Sequence, residues 1–151
     1  MNWLSNLINS LFQKPDISTI QPTSSKKVSG DYIFNILNSK FPSSAHIYLS
    51  DIDYYLCSKK DIETFLSIDA TNKIGYIPEK MDCDDFSYRL MGQLSIPNWS
   101  AIAFGILWTN VHALNCFIDE TGTFYYIEPQ SDNVQRELAT WQGNEVLLIV
   151  M

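Results

Sequence analysis

Residues 101–128 read AIAFGILWTNVHALNCFIDETGTFYYIE. Ile, Val, Phe, Tyr and Trp crowd this stretch, and it breaks only at Thr109-Asn110 and at Asp119-Glu120-Thr121-Gly122. Runs of β-branched and aromatic residues bounded by turn chemistry predict strands. The pattern predicts three of them, from Ala101 to Trp108, Val111 to Ile118 and Thr123 to Ile127, and a fourth from Glu145 to Val150. Gly122 suits the left-handed position of a bulge turn, so the second and third strands should form a hairpin.

Working outward, the segments upstream carry helical signals. Asp31 to Lys40 places Ile33, Ile36 and Leu37 on one side, and Ser58-Lys59-Lys60-Asp61 has the form of a capping box opening a helix through Phe65 and Leu66. Asp82 or Asp84 can cap a helix from about Cys83 to Gln93 that turns Phe86, Leu90 and Leu94 inward. Ile47-Tyr48-Leu49 and Tyr54-Tyr55-Leu56 are short apolar runs that suit extended chain. Helices first and a sheet afterwards make the class α+β, with the Cys83 helix packed on an antiparallel sheet.

Residues 1–12 space Trp3, Leu4, Leu7, Ile8, Leu11 and Phe12 as one face of an amphipathic helix. That helix is expected to dock on its own domain, on a sister chain or on a partner, since its polar face lacks the Lys and Arg that favour membranes. Residues 13–30 read as a linker, which leaves 31–151 as the folded domain.

A chain of 151 residues is long enough for one domain with a real core. Its net charge of −7 makes nucleic acid a poor partner. Three cysteines, none in a C-x-x-C pair, exclude a fully paired disulfide framework and a thiolate zinc site. A reducing, cytoplasmic setting is expected, with no signal peptide and no apolar stretch long enough to span a bilayer.

The chemistry-bearing residues are Asp82-Cys83-Asp84-Asp85-Phe86, then His112, then Glu128-Pro129-Gln130. A helix start favours a thiolate, whereas neighbouring carboxylates oppose one. Cys, His and Glu at the edges of regular elements are the parts of an activated-nucleophile site, although a small buried Cys and a hydrogen-bonded core His are the ordinary alternatives. If the hairpin loop is odd in length, His112 shares a face with Glu128, which can then orient the imidazole; an even loop separates them. A cation held by Asp84 or Asp85 would offset the acids beside Cys83. Calcium needs six to eight oxygens, so further donors are required, with Asp51 and Asp53 as candidates.

These three segments resemble the papain-like cysteine protease domain at the C-terminus of the Marasmius oreades agglutinin, over about residues 76–132. They are also similar to bacterial transglutaminase-like cysteine peptidases. The resemblance implies a papain-like fold and a calcium-dependent cysteine hydrolase acting on protein or peptide through an acyl-enzyme. Cys83 would be nucleophile, His112 general base and Glu128 its orienting group, with calcium on Asp84 and Asp85. Other functions that fit the same residues are acyl transfer to an amine and a non-catalytic, calcium-stabilised interaction module. The agglutinin's β-trefoil lectin domain has no counterpart of adequate length here, so the resemblance does not imply sugar binding. Nor is there a Gln between Gln21 and Cys83 to serve an oxyanion hole as in papain.

Overall fold

The structure, a computed structural model, describes residues 16–41 and 45–151. The amphipathic segment at 1–12 and the first three residues of the expected linker lie outside the described residues. In chain order the elements are β1 (Lys26–Ser29), α1 (Gly30–Lys40), β2 (His46–Tyr48), β3 (Asp53–Leu56), α2 (Lys59–Ile68), α3 (Cys83–Leu94), β4 (Phe104–Thr109), β5 (Ala113–Ile118), β6 (Phe124–Glu128), β7 (Asn133–Gln135) and β8 (Val146–Val150). The class is α+β.

Each helix starts where the sequence supplies a cap. Ser29 accepts the Tyr32 N–H at the head of α1. At α2 Ser58 and Asp61 satisfy each other's backbone N–H groups, a complete capping box. At α3 the Asp85 carboxylate accepts the Asp82 N–H at 3.2 Å.

The main sheet has six strands in the order β2-β8-β4-β5-β6-β7, and β1 and β3 form a separate antiparallel pair. The expected antiparallel sheet is in fact mixed, because β2 runs parallel to β8 while the other neighbours are antiparallel. Two clusters of buried side chains cover its faces. Ile33 and Leu37 of α1 join Leu107, Leu114, Cys116 and Ile118. Phe65 and Leu66 of α2 join Leu90 and Leu94 of α3 against Phe104, Phe117 and Ile127. Alternation along a strand sends neighbours to opposite faces, so a strand covered on both sides is apolar throughout; every residue of β5 is buried.

Two interior residues of the sheet are small or polar for a reason. A Cβ on Gly105 would lie 2.2 Å from the Val150 carbonyl oxygen, so only glycine fits between β4 and β8 there. Asn115, fully buried, donates through Nδ2 to the carbonyls of Ser87 and Gly105 at 3.0 and 3.2 Å, tying α3 to the sheet.

The strand limits differ from expectation by more than one residue at two places, and β7 is unexpected. Ala101 and Ala103 bond to Tyr55 of β3 instead of continuing β4. Val111 and His112 belong to a tight turn, because the Thr109 hydroxyl accepts both their N–H groups. Part of the expected linker is structured: β1 pairs with β3, Trp99 Nε1 donates to the Ile20 carbonyl, and Thr23 donates to Asp61 through its N–H and hydroxyl.

Candidate functional site

Cys83 is the first residue of α3, held there by the Asp82–Asp85 cap and by the inward pull of Phe86 and Leu90. Of the three unpaired cysteines it alone is partly exposed. Burial pushes the Cys57 thiol up to about 12 and raises that of Cys116 as well.

Across from Cys83 stands the β4–β5 turn. The Thr109 N–H donates to the His112 carbonyl at 2.8 Å, and the Thr109 hydroxyl accepts the His112 N–H at 2.9 Å while donating to the Gln142 carbonyl at 2.6 Å. The hairpin loop between β5 and β6 is odd, with Ile118 opposite Phe124 and Asn115 opposite Ile127. His112 and Glu128 therefore share a face, and Nε2 of His112 lies 2.8 Å from Oε2 of Glu128. Both side chains are nearly buried, at 8% and 6% exposure. The same Oε2 accepts the Gln142 amide at 2.9 Å, and the edge of the Trp141 ring packs on the imidazole at 5.0 Å.

An open cleft of about 350 Å³ separates the two walls, with Cys83 and Asp84 on one side and residues 108–113 on the other. Exposed aromatics flank it. Trp141 is 62% exposed against His112, and Tyr88 packs on Trp108 with ring centroids 5.9 Å apart.

At its mouth the carboxylates of Asp82 and Asp84 and the Cys83 sulfur lie within 4.8 Å of one another, the one group of three His, Cys, Asp or Glu side chains so close among the described residues. A hydrogen bond from Asp82 raises the pKa of the Asp84 carboxyl, helped by desolvation and by the charges of Asp82 and Asp85. Two carboxylates sharing a proton can share a cation instead, so the donor chemistry suits a hard ion that completes its shell with water or carbonyl oxygens. The cluster joins Asp84 to Asp82, while one oxygen of Asp85 is occupied at the helix cap. Asp53 is paired with Lys27 at 2.8 Å, and neither it nor Asp51 belongs to the cluster.

Sequence reasoning missed Gln142, Trp141 and Thr109. The available signal was Thr140-Trp141-Gln142-Gly143, an aromatic and an amide just ahead of the last strand. Nothing local in it states that the amide is buried on Glu128.

No family model matches the chain, and no curated protein matches it. Solved structures do. A chain described as the PSL1a–E64 complex superimposes with a TM-score of 0.70 at 18% identity, over 83% of this chain and 50% of that one. The Polyporus squamosus lectin bound to the human-type influenza-binding epitope Neu5Acα2-6Galβ1-4GlcNAc gives 0.66 at 16% identity, over 83% and 49%. At such identities the likeness establishes the fold, and this chain spans about half the length of each. These matches correct the resemblance inferred from the motifs: the similar structures are PSL1a and Polyporus squamosus lectin complexes, and no match to the agglutinin's protease domain is among them. The assignment as a cysteine peptidase, with a calcium-dependent hydrolase function and a peptide substrate, falls with it. The His112–Glu128 pair is buried and joined by Gln142, an arrangement that also serves as a structural lock.

Proposed function

We propose that this domain is a non-catalytic interaction module, stabilised by calcium, that binds carbohydrate in the cleft between α3 and the β4–β5 turn. The observation that carries this reading is the aromatic rim. Trp141 and Tyr88 are exposed rings packed on His112 and Trp108, which line a cleft that also presents Asn110 and Asp84. Small-molecule sites combine such apolar surfaces with a few placed polar groups. A sugar offers matching parts, a C–H face for the rings and hydroxyls for the amide and carboxylate. One of the similar chains is described as a lectin, which supports the ligand class, and the epitope it binds is not carried over.

Calcium on Asp84, with Asp82 or Asp85 and water, would neutralise the acids at the mouth and fix the head of α3. His112 and Glu128 act in this reading as the rigid wall, and the papain-like placement of a Cys-bearing helix on the sheet is an architectural likeness. The three unpaired cysteines suit a reducing, cytoplasmic setting.

The test is a glycan array probed with the intact chain in calcium, followed by calorimetry on the best free oligosaccharide. Trp141→Ala and Tyr88→Ala should each weaken binding about tenfold, roughly the free energy of one aromatic contact, and Cys83→Ala should leave it within about twofold. Absence of any glycan binding at millimolar concentration would sink the proposal. So would fast, His112-dependent alkylation of Cys83 coupled to turnover of an amine-acceptor substrate, which would assign acyl transfer instead.

A further inference from the structure

Away from the cleft, the tight turn Thr71–Lys73 after α2 meets the turn between β6 and β7. The Asn72 amide donates to Oδ2 of Asp132, and Oδ2 of Asp69 accepts the Thr71 N–H at 2.7 Å. Three side-chain oxygens at this junction are buried without a hydrogen-bond partner: Oγ1 of Thr71, Oδ1 of Asn72 and Oδ1 of Asp132. Thr71 is 0% exposed and Asp69 4%. Two of the orphans belong to the head groups that make the Asn72–Asp132 bond. The Asp132 carboxyl is pushed up to about 6, first by burial and then by the charge of Asp69, with Lys73 opposing. Asp132 also holds a left-handed φ of 58°, a conformation that Asp tolerates better than most residues.

We propose that Asp69, Thr71, Asn72 and Asp132 form a second cation site, separate from the carboxylates beside Cys83, and that its ion is calcium. Buried polar atoms are almost always paired, so three side-chain oxygens without a protein partner at one junction point to a ligand. All three are oxygens with lone pairs to give, which suits a cation and offers an anion little. Carboxylate, hydroxyl and amide oxygens together are a calcium donor set, whereas zinc and copper favour nitrogen and sulfur. An ion there would staple the end of α2 to the turn that follows Glu128, the residue that holds His112.

The experiment is calorimetric titration of calcium into the chelator-treated full chain at pH 6, in two buffers of different ionisation enthalpy. The variants are Asp132→Asn, Thr71→Val and, as a control for the cleft, Asp84→Asn. A binding event should appear that Asp132→Asn weakens at least tenfold, Thr71→Val weakens less, and Asp84→Asn leaves unchanged. It should release protons, since an ion binds the ionised form of a carboxyl that burial holds above its ordinary range. Thr71→Val preserves shape and keeps the test valid if Asp132→Asn fails to fold, and proton release by the natural chain needs no variant. Calcium affinity unchanged in both Asp132→Asn and Thr71→Val, or no calcium bound at millimolar concentration, would overturn the proposal and leave buried water as the guest. Because Asp84→Asn perturbs only the cleft, failure here is distinguishable from failure of the sugar-binding reading.

Discussion

The two ends of the β5–β6 hairpin solve the same problem in opposite ways. At the closed end, Asp119 and Thr123 pair through the backbone at 3.0 Å, and Oδ1 of Asp119 accepts the N–H groups of Thr121 and Thr123, each at 2.9 Å. Every partner of the Asp119 carboxylate is within a few residues, and only Glu120 reaches further, to Cys57 and Ser24. At the open end, His112 and Glu128 depend on Gln142 and Trp141, which arrive from another segment, and Thr109 ties that segment to the turn. A turn that satisfies itself can be read from its own sequence, while a polar lock assembled from afar cannot.

That contrast can be broken most severely at Glu128. Glu128→Leu strands the His112 nitrogen and the Gln142 amide in a buried place, and removing one partner of such a pair costs about 3 kcal/mol. Urea unfolding at pH 7 should show the loss, and a cost below about 1 kcal/mol would mean the open end is wetter than it looks. Asp119→Ala comes next. It removes the acceptor of the turn's N–H groups, an effect like losing a helix cap, about 1–2 kcal/mol in the same assay. Gly122→Ala should cost about 1 kcal/mol, because its φ of 82° is strained for any residue with a Cβ. Part of that cost should vanish in a Tyr32→Ala background, since the added Cβ would approach the Tyr32 hydroxyl at 2.8 Å.

The smallest effect sharpens the comparison through pH. Asp132 lies beyond the open end with a carboxyl raised from 3.8 to about 6. Between those values the folded chain holds more protons than the unfolded one, so this group's contribution declines as pH rises from about 4 to 6. In chelator, Asp132→Asn should flatten the melting temperature across that window relative to the natural chain. A parallel pair of pH profiles would show that Asp132 titrates normally.

What could be read in advance follows the same division. The Ser58–Asp61 capping box, the start of α3 at Cys83, the left-handed Gly122 and the shared face of His112 and Glu128 are consequences of local spacing, and the structure has them. The parallel pairing of β2 with β8 joins segments about a hundred residues apart, and no periodicity in either short run announces it. Gln142 on Glu128 and Asn72 on Asp132 are likewise long-range contacts between residues that look like ordinary loop polar groups. The attribution to a protease domain failed for a related reason. Three short motifs specify an arrangement of side chains, and the chemistry performed there depends on what surrounds them.

The burial of β5 on both faces has a consequence for how the sheet avoids misalignment. In a strand with one wet side, a slip of one residue drags apolar groups into water and is rejected at once. Here a slip would exchange one oily face for another, and hydrophobicity would scarcely object. Gly105 and Asn115 supply the missing veto. A shifted β4 would bring Phe104 or Ile106 to the spot where a Cβ stands 2.2 Å from the Val150 oxygen. A shifted β5 would carry the Asn115 amide away from the Ser87 and Gly105 carbonyls and maroon it among hydrocarbon. The alignment of the most apolar part of this molecule is thus keyed by its smallest residue and by a single buried amide.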